Sequence, residues 1–386
     1  MPGLEQPPPP EARWRSCVTD SEANGSPPAP LIGALPGEGI GAEVVESALE
    51  VLRQLELAGG QAVQIERGGP IGLAAEQTAG AALPDEVVRF CRDVFSRGGA
   101  ILTGAGGGRY VYDLRREFDL FLKLVPVASR FGLPEASPLR PETIRDVDFL
   151  LVRENLGGVY QGISEQLVDE EGGRTIRHSF ETSQAALQRF LGAAARLAGH
   201  RDGVLTVVIK QSGTPALADL WRDSASEAAE AARIECSFVD VDLMAYELIR
   251  RPREFDVIAA SNLAGDVLSD LAAVLVGSRG LSFSGNFSRR GHTVYQTNHG
   301  AAHDIAGHDV ANPVGQILSL AMLLRESLGL DREAYAIEDG VRSAWDRGLR
   351  TADIAVPGDR VVGTEEMTRE IAQAAVTQMG ALPSAA

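Results

Sequence analysis

Three cysteines in 386 residues, Cys17, Cys91 and Cys236, are too few and too far apart for a disulfide framework, and with no C-x-x-C pair they build no zinc knuckle. That usage fits a reducing compartment and points to the cytoplasm. No apolar run approaches the roughly 18 residues that a membrane span requires. An excess of positive charge is also missing: 36 Lys and Arg stand against 53 Asp and Glu, for a net charge of −17 and a pI of about 4.9. A nucleic-acid partner needs a basic face, so that class is disfavoured. An anionic small molecule can be held only where local Arg, Lys or a metal overrides the global field. There is no internal repeat at a fixed period.

What remains is a soluble globular composition, 44% apolar and 23% charged, long enough for about two to three domains. Residues 1–30 stand apart, with Pro7 to Pro10 and Pro27, Pro28 and Pro30 among Ser, Glu and Asn. They lack the apolar stretch of a secretory signal and are expected to form a disordered extension. From Leu31 onward, strand-like runs (31–35, 62–65, 100–103, 148–152, 204–209, 255–260) alternate with helical patterns (43–55, 84–95, 183–197, 219–232, 313–328). This alternation predicts an α/β fold with a mostly parallel sheet. Gly37-Glu38-Gly39-Ile40-Gly41-Ala42 satisfies G-x-G-x-x-A after a strand, and Glu66 ends the next strand candidate, as a dinucleotide-binding turn would. The plainer alternative is a tight turn that needs glycine sterically.

The segment most charged with chemistry is Asn262 to Asp270, which follows the apolar run Phe255 to Ala260. Asp266, read as opening a helix, and Asp270 are four residues apart and so share one helix face. Paired carboxylates at a helix start suit a hard divalent cation, Mg²⁺ or Mn²⁺. In isolation such a spacing is more often a capping Asp and a solvated one.

Five segments in order carry a resemblance. They are Leu35 to Gly41, Leu114-Arg115-Arg116-Glu117-Phe118-Asp119-Leu120-Phe121, Val152-Arg153-Glu154-Asn155-Leu156-Gly157-Gly158-Val159-Tyr160, Asn262 to Asp270, and His299-Gly300-Ala301-Ala302-His303-Asp304-Ile305-Ala306-Gly307 with Ala311-Asn312-Pro313. Together they resemble the metal-dependent β-decarboxylating dehydrogenases, the isocitrate and 3-isopropylmalate dehydrogenase family. The resemblance implies a two-domain α/β fold, different from a standard Rossmann fold. The first, cofactor-binding domain is discontinuous (31–120 and 278–386), and the inserted dimerisation domain (121–277) carries a clasp arm near 161–182. It implies a homodimer whose active sites are shared between subunits.

The implied reaction is oxidation of a malate-type 2-hydroxy acid at C2, loss of the β-carboxylate as CO₂, and protonation of the enol. By the resemblance Lys210 of the partner is the base and Tyr160 the acid. Asp266 and Asp270, with the partner's Asp242, are the metal ligands; Asp240 is the rival of Asp242. Arg115 and Arg153 bind carboxylates. His299, Gly300, Asp304, Ile305 and Asn312 belong to the cofactor's adenosine loop. An acid at 304 can hold ribose hydroxyls and repel a 2′-phosphate, which predicts NAD over NADP.

Recognition positions depart from the pattern. Lys123-Leu124-Val125-Pro126 stands where the family reads Asn-Leu-Arg-Pro, so one carboxylate-binding arginine is Val125. Losing such a charged partner costs roughly 1.5–3 kcal/mol, and Lys123, on the same face if the segment is extended, is expected to substitute in part. The loop Arg109 to Asp113 is short and aromatic, Gln296-Thr297 replaces the usual Glu-Pro, and His303 the usual Pro. These changes predict a divergent substrate. The competing reading is a non-catalytic regulatory subunit of an isocitrate-dehydrogenase-like complex.

Overall fold

The computed structural model describes residues 13–19 and 29–382. The chain runs α1 (Trp14–Val18), β1 (Leu31–Leu35), α2 (Ile40–Leu57), β2 (Gln64–Arg67), α3 (Gly72–Ala79), α4 (Asp85–Ser96), β3 (Ala100–Thr103), α5 (Tyr110–Glu117) and β4 (Leu122–Ala128). It continues through α6 (Pro141–Ile144), β5 (Asp148–Glu154), β6 (Ile163–Val168), β7 (Arg174–Ser179), α7 (Gln184–Gly199), β8 (Val204–Ile209), α8 (Pro215–Ala232), β9 (Glu235–Asp240) and α9 (Val241–Arg250). Last come β10 (Val257–Ala260), α10 (Asn262–Val276), β11 (Phe283–Phe287), β12 (Thr293–Thr297), α11 (Val314–Leu323), α12 (Asp331–Asp346) and α13 (Thr364–Ala381).

Ten strands form one sheet in the order β2-β1-β3-β12-β11-β4-β5-β10-β8-β9. The two flanks are parallel, whereas β12–β11, β11–β4 and β4–β5 pair antiparallel at the centre. β1, β3 and β10 are buried along their whole length, as expected for parallel strands covered on both faces. Because β4 runs against β5, Lys123 at its start lies opposite Arg153 near the end of β5. The carboxyl ends of β5 and β10 therefore share one edge with the start of β4, whereas β3 and β12 run with β4 and end at the opposite edge. β6 and β7 form a separate hairpin, exposed at every residue, within the expected arm. Among the described residues no helix is long and apolar enough to cross a membrane.

Three expectations need correction. The extension is not wholly disordered: Trp14–Val18 is helical, and Cys17 and Val18 are buried in the main core. Apolar side chains at this spacing cover the seam between α7 and a π-helical turn, Leu324–Leu328. Residues 1–12 and 20–28 lie outside the described residues. Second, the expected 313–328 helix does run to Leu328, but its last five residues, Leu324–Leu328, are wound as a π-turn. Third, α10 begins at Asn262, not Asp266, with Ser261 at its N-cap.

α1 lacks a side-chain cap of its own. Glu326, turned inward by the π-turn, accepts the Arg15 backbone N–H at 3.0 Å, while the Arg15 guanidinium donates to the carbonyls of Ser327 and Gly291. Burial pushes the Glu326 carboxyl up to about 7, and the Arg15 N–H only partly offsets it. A carboxylate raised in the fold binds more protons there than in the unfolded chain, so its contribution is full below pH 4.5 and is lost as pH rises toward 7. Glu326→Gln keeps the acceptor without the charge. It is expected to stabilise the protein at pH 8 by up to about 3 kcal/mol, taking 1.36 kcal/mol per unit, and to change little at pH 4.5. Urea midpoints at both pH values check this; equal midpoints at pH 8 would count against it.

Candidate active site

The site builds on β5 and α10. Arg153, 2% exposed, leaves β5 and lies along α10. Its Nε and Nη2 donate to Asn262 Oδ1 at 3.1 and 2.8 Å, and its Nη1 pairs with Asp266. Gly265 makes this possible, since a Cβ there would stand 2.8 Å from Arg153 Cγ. Asn262 is held in turn by donating to the carbonyls of Asn155 and Gly157. Asp266 and Asp270 project one turn apart from α10 as the sequence predicts, and Asp270 pairs with Arg279 at 3.0 Å.

A cleft of about 260 Å³ opens on this face. Arg115, Lys123, Arg153 and Arg279 line it with Asp266 and Asp270, and Gln296 to Gly300 form another wall. Arg115 and Lys123 are each 3% exposed. Arg115 Nε and Nη1 have no hydrogen-bond partner, and among the described residues no ion pair reaches Lys123. Burial, and then Arg153, pushes the Arg115 guanidinium down to about 9, still protonated at neutral pH. Burial also drives Lys123 well below the usual amine range, with Arg115 and Arg153 adding to the effect. Cations buried without partners are costly, and an anion placed among them relieves that cost. Val125, two residues along β4, is fully buried and lines none of the cleft.

Tyr160 stands at the rim. Its ring leans on Tyr112 with centroids 5.3 Å apart and faces the Arg153 guanidinium at 5.8 Å. Burial and the neighbouring Asp266 carboxylate raise its phenol to about 12. Lys210, at the end of β8, and Asp242, at the start of α9, pair with each other at 2.6 Å and do not line the cleft. The Asp242 hydrogen bond raises Lys210, and Asp240 also approaches it at 3.4 Å. Among the described residues no three His, Cys, Asp or Glu side chains converge as a metal site. One chain thus offers two hard oxygen donors, Asp266 and Asp270. These fit part of a Mg²⁺ or Mn²⁺ shell and leave a place for a further carboxylate.

Of the expected cofactor residues, His299 and Gly300 line the cleft, whereas Asp304, Ile305 and Asn312 lie outside it on the loop that follows. Asp304 is exposed, and Ile305 packs beside Ile40, Val44 and Ala311. Asn312 accepts the Val314 N–H at 3.0 Å and donates to Asp353, fixing the start of α11. Four buried atoms on the adjoining wall, Gln296 Oε1, Thr297 Oγ1, Asn298 Oδ1 and His299 Nε2, have no partner. Buried polar atoms are rarely left so, and this run suits the hydroxyls and amide of a dinucleotide.

The glycine turn 37–42 is no dinucleotide site. Its amides are spent on protein: Glu38 N–H donates to Ala105 O at 2.7 Å, and Ile40 N–H donates to Ala301 O at 2.8 Å. Gly37 and Gly39 have positive φ, and a Cβ at either would lie within 2.3 Å of those carbonyls. Glu66 pairs with Arg97 instead of facing the turn. Sequence reasoning missed Arg279 and Tyr112 as cleft residues. Arg279 sits on a short 3₁₀ turn (Arg279–Leu281) without a motif, but the i, i+3 spacing of Tyr112 and Arg115 was a readable signal.

The family model for isocitrate/isopropylmalate dehydrogenase matches residues 31–371. The chain is 40% identical to 3-isopropylmalate dehydrogenase of Geobacillus kaustophilus over 354 residues, covering 88% of this chain and 94% of that protein. It is 36% identical to the enzyme of the same name from Bacillus subtilis, covering 90% and 97%. Among solved structures, isocitrate dehydrogenase from Methylococcus capsulatus superposes with a TM-score of 0.77 at 28% identity, covering 89% of this chain and 99% of that one. A β-decarboxylating dehydrogenase from Thermococcus kodakarensis gives 0.70 at 27% identity, covering 91% and 96%. With this fold, this cleft and these matches, the chain belongs to the isocitrate/isopropylmalate dehydrogenase family.

Proposed function

We propose that the protein oxidises a 3-substituted malate at C2 with NAD and releases the β-carboxylate as CO₂, with Mg²⁺ or Mn²⁺ as cofactor. One observation carries this reading: Arg115 and Lys123, buried and without an ion-pair partner among the described residues, stand beside Arg153 and face the carboxylates of Asp266 and Asp270. The cations suit the two carboxylates of a malate. Arg115 and Arg153 orient them by bidentate pairing, and Lys123 supplies charge in place of the arginine replaced by Val125. A divalent cation on Asp266 and Asp270 supplies Lewis acidity at the C2 oxygen and steadies the charge left when CO₂ departs.

Lys210 takes the hydroxyl proton and Tyr160 returns one to C3. A phenol raised to about 12 stays protonated at neutral pH, as an acid must. A homodimer joins the two halves of the site. Leu243 and Tyr246 on α9 and Leu263 and Val267 on α10 are exposed next to Asp242 and Asp266, and α9 packs on α10. The bare β6–β7 arm exposes Ile163, Leu167, Val168 and Ile176. An apolar surface of this kind marks an interface, and under two-fold symmetry each protomer's Lys210 and Asp242 would serve its partner's cleft.

The adenosine half of NAD falls to His299, Gly300, Asp304, Ile305 and Asn312. Asp304→Lys is expected to lower the NAD to NADP ratio of kcat/KM by at least about tenfold, the repulsion of a 2′-phosphate having become attraction. An unchanged ratio rejects Asp304 as the discriminator. The activity itself is tested by measuring NADH and CO₂ together over isopropylmalate, isocitrate, homoisocitrate, tartrate and malate with Mn²⁺. No NADH from any of them rejects the proposal.

A further inference from the structure

Arg279 is the one cation of the cleft that the proposed chemistry leaves without a role. Its turn is rigid: Ser278 Oγ accepts the Gly280 N–H at 3.0 Å and donates to Asp353 Oδ2 at 2.5 Å. Asp353 also accepts from Thr351 Oγ1 at 2.6 Å and from Asn312 Nδ2 at 3.2 Å. The side chain therefore leaves a fixed base, next to the loop that leads into α11. Its ion-pair partner is Asp270, at 3.0 Å, with both side chains about half exposed. An exposed pair of that kind adds at most about 1 kcal/mol to stability, too little to explain a guanidinium in a ligand cleft.

The charge count points elsewhere. Among the described residues Arg115 and Lys123 have no anionic partner, while Arg153 and Arg279 are neutralised by Asp266 and Asp270. A divalent cation that took both carboxylates would free both guanidiniums. The two carboxylates of a malate then face Arg115 of α5, Lys123 of β4 and Arg153 of β5, and Arg279, across Asp270 and beside His299, is left over. A freed guanidinium held on a fixed base at the cleft is a ready partner for an oxyanion that enters beside it. The wall it shares with Asn298 and His299 holds orphaned polar atoms, so a polar group is wanted there as well.

We propose that Arg279 is an oxyanion-binding residue of the loaded cleft: it holds Asp270 while the cleft is empty and passes to a phosphate of the dinucleotide or to a further carboxylate on the substrate's C3 substituent. The inference rests on the proposed cation-dependent dehydrogenase activity. It is tested in the full-length protein with Arg279→Gln and Arg279→Lys. Mn²⁺ binding to the ligand-free protein, followed by electron paramagnetic resonance, is expected to tighten roughly two- to fivefold in Arg279→Gln, because an internal competitor is gone. Calorimetry with NADH then reads one source of the oxyanion. A comparison of KM for isocitrate with KM for isopropylmalate reads the other.

A loss of about ten- to a hundredfold in either arm, the worth of a charged hydrogen bond, supports the role and names the source, with partial recovery in Arg279→Lys. Tighter Mn²⁺ binding with both arms unchanged overturns it, as does a variant that matches wild type throughout. If the wild type oxidises no malate, the activity fails on its own account, while Mn²⁺ and NADH binding still report on Arg279.

Discussion

Asp270→Asn is expected to lower kcat/KM by about three orders of magnitude or more and to abolish Mn²⁺ binding in the same range of concentration. The size follows from the role: Lewis-acid stabilisation of developing charge is worth several kcal/mol, and each 1.36 kcal/mol is tenfold in rate. Asn keeps the shape and removes the charge, so helix α10 should survive. Arg279 would lose its anion, but it is half exposed and can turn to water. Stability is therefore expected to change little while activity collapses, and a thermal melt beside the kinetics separates the two. A variant that retains a tenth of the activity with normal Mn²⁺ affinity would remove Asp270 from the ion's shell.

Lys210→Met is the second large effect, with an expected fall of about a hundred- to ten-thousandfold in kcat, the usual weight of a general base. In the isolated chain Lys210 is badly placed for that work. Asp242 holds it at 2.6 Å and favours its charged form. In the proposed dimer Asp242 would be drawn onto the divalent ion, which would loosen its hold on the amine. Asp242→Asn should therefore damage Mn²⁺ binding and catalysis together, whereas Lys210→Met should damage catalysis with Mn²⁺ binding nearly intact. Equal loss of Mn²⁺ binding in both variants would mean that Lys210 acts only by positioning Asp242.

Much of this was legible in the residues, for physical reasons. β1, β3 and β8 coincide with apolar runs because parallel strands buried on both faces carry few polar residues. The i, i+4 pair Asp266 and Asp270 did reach one face, and Arg115, Lys123 and Arg153 did converge on it. The central strands β11 and β12 were not legible. They contain Ser284 and Asn286, buried polar residues held by the hydrogen bonds Ser284 Oγ to Gln296 O and Asn155 Nδ2 to Asn286 Oδ1, and the half-buried Gln296. The helix Trp14–Val18 was hidden in proline-rich sequence because its stability comes from docking on Glu326 and α7, both more than 160 residues away in sequence, and not from local propensity. Arg279 was invisible for a similar reason: its partner is on the preceding helix, and no spacing rule links a turn residue to Asp270.

If, as proposed, each site is shared by two protomers, mixing two inactive variants restores activity. The Asp270→Asn and Lys210→Met variants are each unfolded, combined in equal amounts and refolded together. In a two-fold dimer with shared sites, half of the dimers are mixed and each regains one intact site, so about a quarter of wild-type activity returns. If every site were built within one protomer, each mixed dimer would carry two broken sites, and the recombined sample would stay as inactive as its parents.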